Sequence, residues 1–210
     1  AFPAARILVG DAATASGLRA LAAHGALAKF RLLHLATHAT VDAAHLLESQ
    51  LVLAPSEPGA DASLLSAREI ATQWRLDADL VCMTGCRSAS GMSAAAQGWL
   101  GFQYAFLRAG ARSVLVSLWP VDDAAAALLV REFYARLIRT PAAASLGSRA
   151  VALSGARRAV REWRDASGQR PFAHPAYWSG FALIGDPGDP EVPRVRAGIS
   201  VAAASPAGGV

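Results

Sequence analysis

The 210-residue chain contains only two cysteines, Cys82 and Cys86. Two cysteines do not make the disulfide framework of a small secreted domain, so we expect a reducing, cytoplasmic setting. Their C-x-x-x-C spacing lacks the second half of a zinc site, which argues against a bound metal. No nucleotide cofactor is expected either, because the turn at residues 10–12 carries no G-x-G-x-x-G or Walker pattern.

Long apolar runs and lysine are also scarce. Hydrophobic residues make up 53% of the chain, but no run reaches the roughly 20 apolar residues of a membrane-spanning helix, and no signal peptide opens the sequence. The formal charge of +4 is carried by arginine, since Lys29 is the only lysine. Four arginines cluster on one predicted helix, at Arg157, Arg158, Arg161 and Arg164. Without an aromatic RNA motif beside them, we expect a solvated helix face and neither a nucleic-acid nor a membrane partner.

Strands and helices alternate along the chain, which is typical of an α/β domain with a mostly parallel sheet. The predicted strands are 6–10, 30–37, 51–54, 79–84, 113–118 and 177–184. The predicted helices are 14–28, 66–74, 95–109, 122–138 and one within 142–167. We expect residues 1–190 to form one domain and the Gly-, Pro- and Ala-rich residues 191–210 to form a tail that is loosely ordered or extends an edge of the sheet.

An imidazole and a thiol follow two of the predicted strands. His38 comes after the strand 30–37, and Cys86 follows the strand 79–84 by one glycine. Functional residues of open α/β sheets gather beyond the carboxyl ends of the strands, and an imidazole beside a thiol favours the reactive thiolate. The histidine of caspases lies about 50 residues upstream of the cysteine, close to the spacing found here.

Both residue types also have an ordinary structural interpretation, as a small core cysteine and a satisfied core histidine. That interpretation fits Cys82 and His34, because both lie inside predicted strands. Cys86 and His38 are therefore the candidates for a nucleophile and its catalytic partner, with the ordinary structural interpretation as the alternative for this pair as well.

Small residues around the predicted nucleophile leave room for a substrate. Gly85 has no side chain, so a substrate backbone can approach closely. Backbone N–H groups in such a turn can hold an oxyanion. The N–H groups of Cys86 and Ala39, with Gly85 beside them, are the candidates.

Seven blocks of the sequence, in order between about residues 6 and 187, resemble the CHAT domain. They are HLATHA at 34–39, SQLVLA at 49–54, LLSAREI at 64–70, DLVCMTGC at 79–86, FLRAGARSVLVSLWPVDD at 106–123, REFYARL at 131–137 and HPAYWSGFALIGDP at 174–187. CHAT domains are caspase-like peptidases related to separase and are often fused to tetratricopeptide repeats. The resemblance implies the α/β caspase-haemoglobinase fold, with a mostly parallel central sheet of about six strands flanked by helices.

The same resemblance implies that His38 and Cys86 form the dyad of a cysteine endopeptidase, which cleaves a protein or peptide substrate through an acyl-enzyme. It associates the chain with bacterial antiviral defence and regulated cell death, where such domains cut a gasdermin-like or other effector protein. Because the sequence begins at Ala1 rather than Met, we expect a longer protein with a regulatory domain or activator. The alternative is a catalytically silent scaffold that binds partners, and the intact dyad argues against it.

The sequence departs from the family pattern near both members of the dyad. Ala39 stands where glycine is common, Gly85 where alanine is usual, and Arg87 where an acid often follows the nucleophile. The small side chain of alanine leaves its N–H available to an oxyanion. None of the three departures removes the dyad.

The stretch WPVDD at 119–123 resembles the separase sequence Trp-Asp-Val-Thr-Asp, whose later aspartate lines the pocket for an arginine before the scissile bond. The matching residue is Asp123, so the resemblance implies a substrate-binding role for Asp123 and for its neighbours Asp122 and Trp119. A buried carboxylate would favour a basic side chain through a bidentate contact. The alternative is that both aspartates cap the helix that begins there and that Trp119 belongs to the core.

Overall fold

The structure is a computed structural model of the chain, and it describes residues 5–57, 59–84, 92–138, 148–188 and 197–202, with side chains except in 92–99 and 197–202. The described residues contain nine strands and five α-helices. The strands are β1 (Arg6–Val9), β2 (Phe30–Ala36), β3 (His38–Thr40), β4 (Gln50–Leu53), β5 (Ser63–Ser66), β6 (Leu80–Thr84), β7 (Ser113–Ser117), β8 (Phe181–Gly185) and β9 (Ala197–Ala202). The helices are α1 (Ala15–Ala23), α2 (Ala67–Gln73), α3 (Met92–Ala109), α4 (Asp123–Leu137) and α5 (Arg149–Glu162).

Six of the strands form the central sheet, in the order β1-β9-β2-β6-β7-β8. Every neighbouring pair is parallel except β7 with β8, which is antiparallel. The interior strands β6 and β7 are buried almost throughout, as parallel strands are when helices cover both faces of a sheet. The prediction of a mostly parallel sheet of about six strands flanked by helices is confirmed.

Two buried clusters lie on the two faces of this sheet. The first unites α1, α2 and α3 with the strands, and its members include Leu18, Ile70, Phe106 and Val81. The second unites α4 and α5 with the strands, and its members include Leu80, Leu115, Phe133 and Val160. Adjacent residues of β6 enter opposite clusters because successive side chains of a strand point to opposite faces. Each fully buried side chain of this size contributes about 1.5–3 kcal/mol of transfer free energy.

A buried ion pair joins the amino ends of β2 and β6. Arg31 Nε donates to Asp79 Oδ2 at 2.9 Å, and both side chains are almost fully buried. The Asp79 N–H donates to the Arg31 carbonyl at 2.7 Å, and the Ser113 hydroxyl at the start of β7 donates to the Asp79 carbonyl at 2.7 Å. Since a buried charge is stable only when it is paired and hydrogen-bonded, this arrangement fixes the three strands relative to one another at the edge opposite their carboxyl ends.

A second, antiparallel sheet of three strands, in the order β3-β4-β5, was not predicted as such. Only β4 matches a predicted strand. The strands β3 and β5 are three and four residues long, which is too short for a period of two to stand out in the sequence. As a result His38 lies in a strand, whereas the sequence placed it in a loop.

The tail is the main correction to the predicted organisation. Residues 197–202, expected to be loosely ordered or to extend an edge of the sheet, form β9, which pairs in parallel with β1 on one side and β2 on the other. These six residues are therefore an interior strand of the sheet. Glycine and alanine have low strand propensity, so the segment AGISVA is only weakly indicative of a strand. The hydrogen bonds that it forms with β1 and β2 compensate for this low propensity. Residues 191–196 and 203–210 lie outside the described residues.

Candidate active site

The two strands that precede the predicted dyad are neighbours. β2 and β6 pair in parallel, and their last pair is Ala36 with Thr84. The pairing offset of 48 residues equals the separation of His38 and Cys86 in the sequence. In the sequence, His38 therefore follows Ala36 by two residues, and Cys86 follows Thr84 by two residues. The adjacency of the two strands, on which the prediction of a shared site depended, is confirmed.

His38 opens β3, one residue after β2 ends. It pairs with Val52 of β4, and the buried Thr37 hydroxyl donates to the carbonyl oxygen of the same Val52. The backbone at His38 is therefore tied to both sheets, while its side chain is only half-buried. Ala39, the predicted oxyanion donor, comes next in the ladder opposite Leu51, and its side chain is buried. An imidazole on such a rigid support can serve as an oriented proton carrier.

Cys86 and Gly85 lie outside the described residues, between the end of β6 at Thr84 and the start of α3 at Met92. Their roles as nucleophile and oxyanion site stay predictions. The first four residues of β6 are buried and the fifth, Thr84, is half-buried. The backbone that leads into residue 85 is therefore anchored in the core of the domain.

The other cysteine is unsuited to nucleophilic chemistry. Cys82 is fully buried in β6, and burial raises the pKa of its thiol to about 12. Because the thiolate is the nucleophile, such a thiol is inert at neutral pH. The structural interpretation of Cys82 is confirmed, and Cys86 is left as the candidate nucleophile of the two.

His34 belongs to a polar cluster below the carboxyl edge of the sheet. Its Nδ1 lies 2.7 Å from the hydroxyl of Tyr134 on α4, and its Nε2 lies 3.0 Å from the hydroxyl of Thr84. The Tyr134 hydroxyl also hydrogen-bonds the Cys82 thiol. Burial lowers the pKa of His34 to about 4 and raises the pKa of Tyr134 well above 10, so the cluster is uncharged at neutral pH.

This cluster confirms that His34 is a satisfied core histidine. Sequence reasoning did not single out Tyr134, and it gave Thr84 no contact with His34, because each looks like an ordinary residue of its helix or strand. Their contact with His34 depends on α4 crossing the sheet at this height, and 100 residues separate His34 from Tyr134 along the chain.

The segment after β7 reaches the same edge of the sheet as the ends of β2 and β6. Trp119 Nε1 donates to the carbonyl of Ala176 at 3.0 Å. Its ring packs over Gly180, where a Cβ would come within 2.7 Å of the indole. The half-buried ring is therefore held by the segment that leads into β8. The role of Trp119 as a pocket wall stays a prediction.

The two aspartates differ in what they do for α4. Asp122 is the N-cap, and its Oδ1 accepts from the N–H of Ala125 at 3.0 Å, so the capping alternative applies to this residue. Asp123 is the first residue of the helix. Both are exposed, whereas the predicted substrate contact assumed a buried carboxylate. Because the Asp123 carboxylate does not form the cap, it is the better candidate of the two for a substrate contact, which stays a prediction.

The arginines of α5 do not form one free basic surface. Arg157 turns inward and donates to the carbonyl of Phe181, and Arg161 pairs with Glu162 at 2.8 Å. These contacts favour the structural interpretation of the cluster. In the part of the chain that the structure describes, no group of three or more His, Cys, Asp or Glu side chains could hold a metal ion. Its helices include none that is long and apolar enough to cross a membrane.

The chain is similar to one protein family and to two curated proteins described below. The family model for the CHAT domain matches residues 1–186. Among curated proteins, the chain is 37% identical over 123 residues to tetratricopeptide repeat protein 28 of Mus musculus. It is 36% identical over 123 residues to the protein of the same name from Homo sapiens. Each match covers 58% of this chain but only 4% of the relative, so the chain spans a small fraction of the length of these proteins.

Proposed function

Because the chain belongs to the CHAT domain family, a family of caspase-like peptidases, we propose that it is a cysteine endopeptidase with Cys86 as nucleophile and His38 as proton carrier. The observation that carries the proposal is the pairing of β2 with β6. Its last pair is Ala36 with Thr84, and in the sequence His38 and Cys86 each follow one member of that pair by two residues, which supports a shared site. Adjacent strands are about 4.8 Å apart, a distance at which a thiol and an imidazole can meet. The fully buried Cys82 offers no rival nucleophile.

The proposed reaction has two halves that share one proton carrier. The Cys86 sulfur attacks the carbonyl carbon of the scissile peptide bond while its proton passes to His38. The imidazolium gives that proton to the leaving nitrogen, the C–N bond breaks, and a thioester remains on the cysteine. Water then attacks the thioester as it gives a proton to His38. The C–S bond breaks, the proton returns to sulfur, and the carboxylic acid product leaves.

Charge that develops on the carbonyl oxygen in each half needs fixed donors. We assign this role to the backbone N–H groups of Cys86 and Ala39, with Gly85 leaving space for the substrate. Such donors stabilise a transition state best when they are rigid. Ala39 meets that condition, because it lies within the ladder between β3 and β4.

A substrate with a basic residue before the scissile bond is the specificity that fits Asp123. Asp123 is exposed and lies six residues after the end of β7, the strand that pairs with β6. A guanidinium binds a carboxylate in a bidentate, charge-assisted contact. Trp119 lies four residues before Asp123 and offers an aromatic wall for the stem of an arginine.

The test is a panel of fluorogenic peptides that differ only in the residue before the cut, with Arg, Lys, Asp, Leu and Ala. Cleavage by the wild type that is lost in both Cys86→Ala and His38→Ala supports the dyad. Cys82→Ala is the matched control, since it removes the other thiol and should retain cleavage. Cleavage that survives Cys86→Ala would refute the proposed mechanism.

The same panel separates the two aspartates. We expect a preference for Arg that Asp123→Ala abolishes. Asp122→Ala should lower stability through loss of the helix cap but keep the preference. A preference for Leu or Ala, or an Arg preference that survives Asp123→Ala, would refute the basic-residue pocket and leave the dyad standing.

The proposed biological setting rests on the family resemblance. We propose that the enzyme acts in the cytoplasm and cuts an effector protein, such as a gasdermin-like protein, in bacterial defence or cell death, under control of a regulatory domain or activator. The names of the curated relatives fit a fusion to tetratricopeptide repeats, since both are tetratricopeptide repeat proteins. Mapping new protein N-termini in cells that express the wild type or Cys86→Ala tests this. Sites seen with both proteins alike would refute it.

A further inference from the structure

Four polar side chains meet in an otherwise apolar layer between the central sheet and α4. They are His34, Thr84, Tyr134 and Cys82, and their neighbours in the layer include Leu32, Leu80, Leu115 and Phe133. Buried polar groups cost free energy unless they are hydrogen-bonded, and each bond returns only a modest net stability. Unlike apolar contacts, hydrogen bonds are directional. These bonds therefore fix the orientation of each side chain and its position relative to the strands.

The hydrogen bonds of His34 form a chain in which the donors and acceptors follow one of two orders. A neutral imidazole has one N–H donor and one acceptor nitrogen. If Tyr134 donates to Nδ1, then Nε2–H donates to the Thr84 hydroxyl. If Thr84 donates to Nε2, then Nδ1–H donates to Tyr134, and the tyrosine hydroxyl is free to donate to Cys82. Either order links α4 through β2 to Thr84 on β6.

The chain of bonds crosses between the two strands that carry the proposed dyad. His34 lies four residues before His38 on the same segment, and Thr84 lies two residues before Cys86. The Arg31–Asp79 ion pair clamps the same two strands at their amino ends. Thr84 is the last residue of β6, and its hydrogen bond with His34 is therefore at the end of the strand that precedes the predicted nucleophile in the sequence.

We propose that His34 and Tyr134 are positioning residues of the proposed active site: they hold Thr84 at the carboxyl end of β6, two residues before Cys86 in the sequence. This inference rests on the proposed peptidase function and deepens it. Neither residue touches the substrate. They act through Thr84 on the geometry of attack, where a displacement of about 1 Å can cost on the order of 100-fold in rate.

The test compares the removal of a hydroxyl group at the carboxyl end of the parallel strands, on Thr84, with the removal of a hydroxyl group at their amino end, on Ser113. Thr84→Val removes the hydroxyl and keeps the shape of the side chain, while Thr84→Ser keeps the hydroxyl and loses a methyl group. Tyr134→Phe breaks the same chain from α4 and replaces Thr84→Val if that variant does not fold. Ser113→Ala is the matched control, because it removes a buried hydroxyl hydrogen bond of 2.7 Å at the amino end of β7.

With the preferred peptide, we expect Thr84→Val and Tyr134→Phe to lower kcat by about tenfold or more with KM little changed, the pattern of a lost transition-state interaction. Thr84→Ser and Ser113→Ala should stay within about threefold of wild type. Amide hydrogen exchange of the peptide spanning residues 80–86 should be faster in Thr84→Val and Tyr134→Phe than in Ser113→Ala. Wild-type kcat in Thr84→Val and Tyr134→Phe, or an equal loss in Ser113→Ala, would overturn the inference.

The exchange measurement keeps this inference distinct from the proposed function. A wild-type protein that neither cleaves peptides nor reacts at Cys86 would refute the peptidase. If amide exchange at residues 80–86 were still faster in Thr84→Val and Tyr134→Phe, the result would support the inference that His34 and Tyr134 stabilise the carboxyl end of β6. Exchange equal to that of Ser113→Ala would overturn it whatever the activity.

Discussion

Acid should weaken the fold through one buried histidine. The imidazole of His34 has a pKa of about 4 in the folded protein, because burial disfavours its charged form, against 6.5 for an ordinary histidine. Between these two pH values the unfolded chain binds a proton that the folded chain does not. Stability therefore rises with pH across this window: it is fully present above about pH 6.5 and is lost progressively as the pH falls toward 4.

The size of the effect follows from the interval between the two pKa values. One pH unit of difference corresponds to about 1.4 kcal/mol, so the full interval is worth roughly 3 kcal/mol. Most of it, about 2.5 kcal/mol, should be lost between pH 8 and pH 4.5. The neutral partners Tyr134, Thr84 and Cys82 do not offset this, because none of them can stabilise an imidazolium by charge.

The assay is urea unfolding of the reduced protein at several pH values between 8 and 4.5, for wild type and His34→Gln. Carboxylates titrate in both proteins, so the informative quantity is the difference between their free energies of unfolding. Wild type should be the more stable at pH 8, and its advantage should shrink by about 2.5 kcal/mol at pH 4.5. His24→Gln, at an exposed histidine, should follow wild type. A difference between wild type and His34→Gln that stays constant with pH would refute the reasoning.

Three stability predictions follow from named contacts and are measured by urea unfolding at pH 7.5. Asp122→Ala removes the cap of α4 and should cost about 1 kcal/mol, whereas Asp123→Ala should cost about 0.5 kcal/mol or less; equal costs would contradict the capping assignment. Asp79→Ala removes the buried partner of the Arg31 guanidinium, which then keeps only its contact with the half-exposed Asp77 at 3.0 Å, and should cost about 1.5–3 kcal/mol; a cost below that of Asp122→Ala would contradict the ion-pair clamp. Gly110→Ala should cost at least about 1 kcal/mol, because φ there is +115° and a Cβ would lie 2.2 Å from a backbone carbonyl oxygen; a neutral effect would contradict this.

The elements that sequence predicted best are those with long apolar runs or clear end signals. The strands β6 and β7 are buried on both faces and read as continuous apolar segments. Helix α2 begins after Ser66, whose side chain accepts from the Glu69 N–H at 3.1 Å, which is the N-cap half of a capping box. Local chemistry alone decides such features, so a single sequence carries them.

The elements that sequence missed depend on distant partners. β9 has a weak strand pattern and exists because β1 and β2 pair with it from both sides. The predicted strand at 177–184 begins only at Phe181, because Pro175–Tyr177 forms a turn of 3-10 helix with the His174 side chain at its N-cap. A proline at the first helical position favours this turn over an extended start, and the aromatic run that follows obscured it.

The candidate site likewise has some features that the sequence predicts and others that depend on distant contacts. The spacing of His38 and Cys86 and their positions after strands are readable from the sequence, and the structure adds the reason for the spacing, which is the register of β2 with β6. The contacts of His34 with Tyr134 and Thr84 could not be read, because they depend on the angle at which α4 crosses the sheet. The exposure of Asp123 likewise depends on how α4 is placed at the sheet edge.

Covalent labelling of the thiols tests the central claim most directly. The wild type, Cys82→Ala and His38→Ala are each incubated with a peptide acyloxymethyl ketone that carries arginine at its reactive end, and the adducts are mapped by mass spectrometry. The account predicts one adduct, on Cys86, that persists in Cys82→Ala and is lost in His38→Ala. An inert Cys86 in the folded wild type, or labelling that is unchanged in His38→Ala, would contradict the proposed dyad.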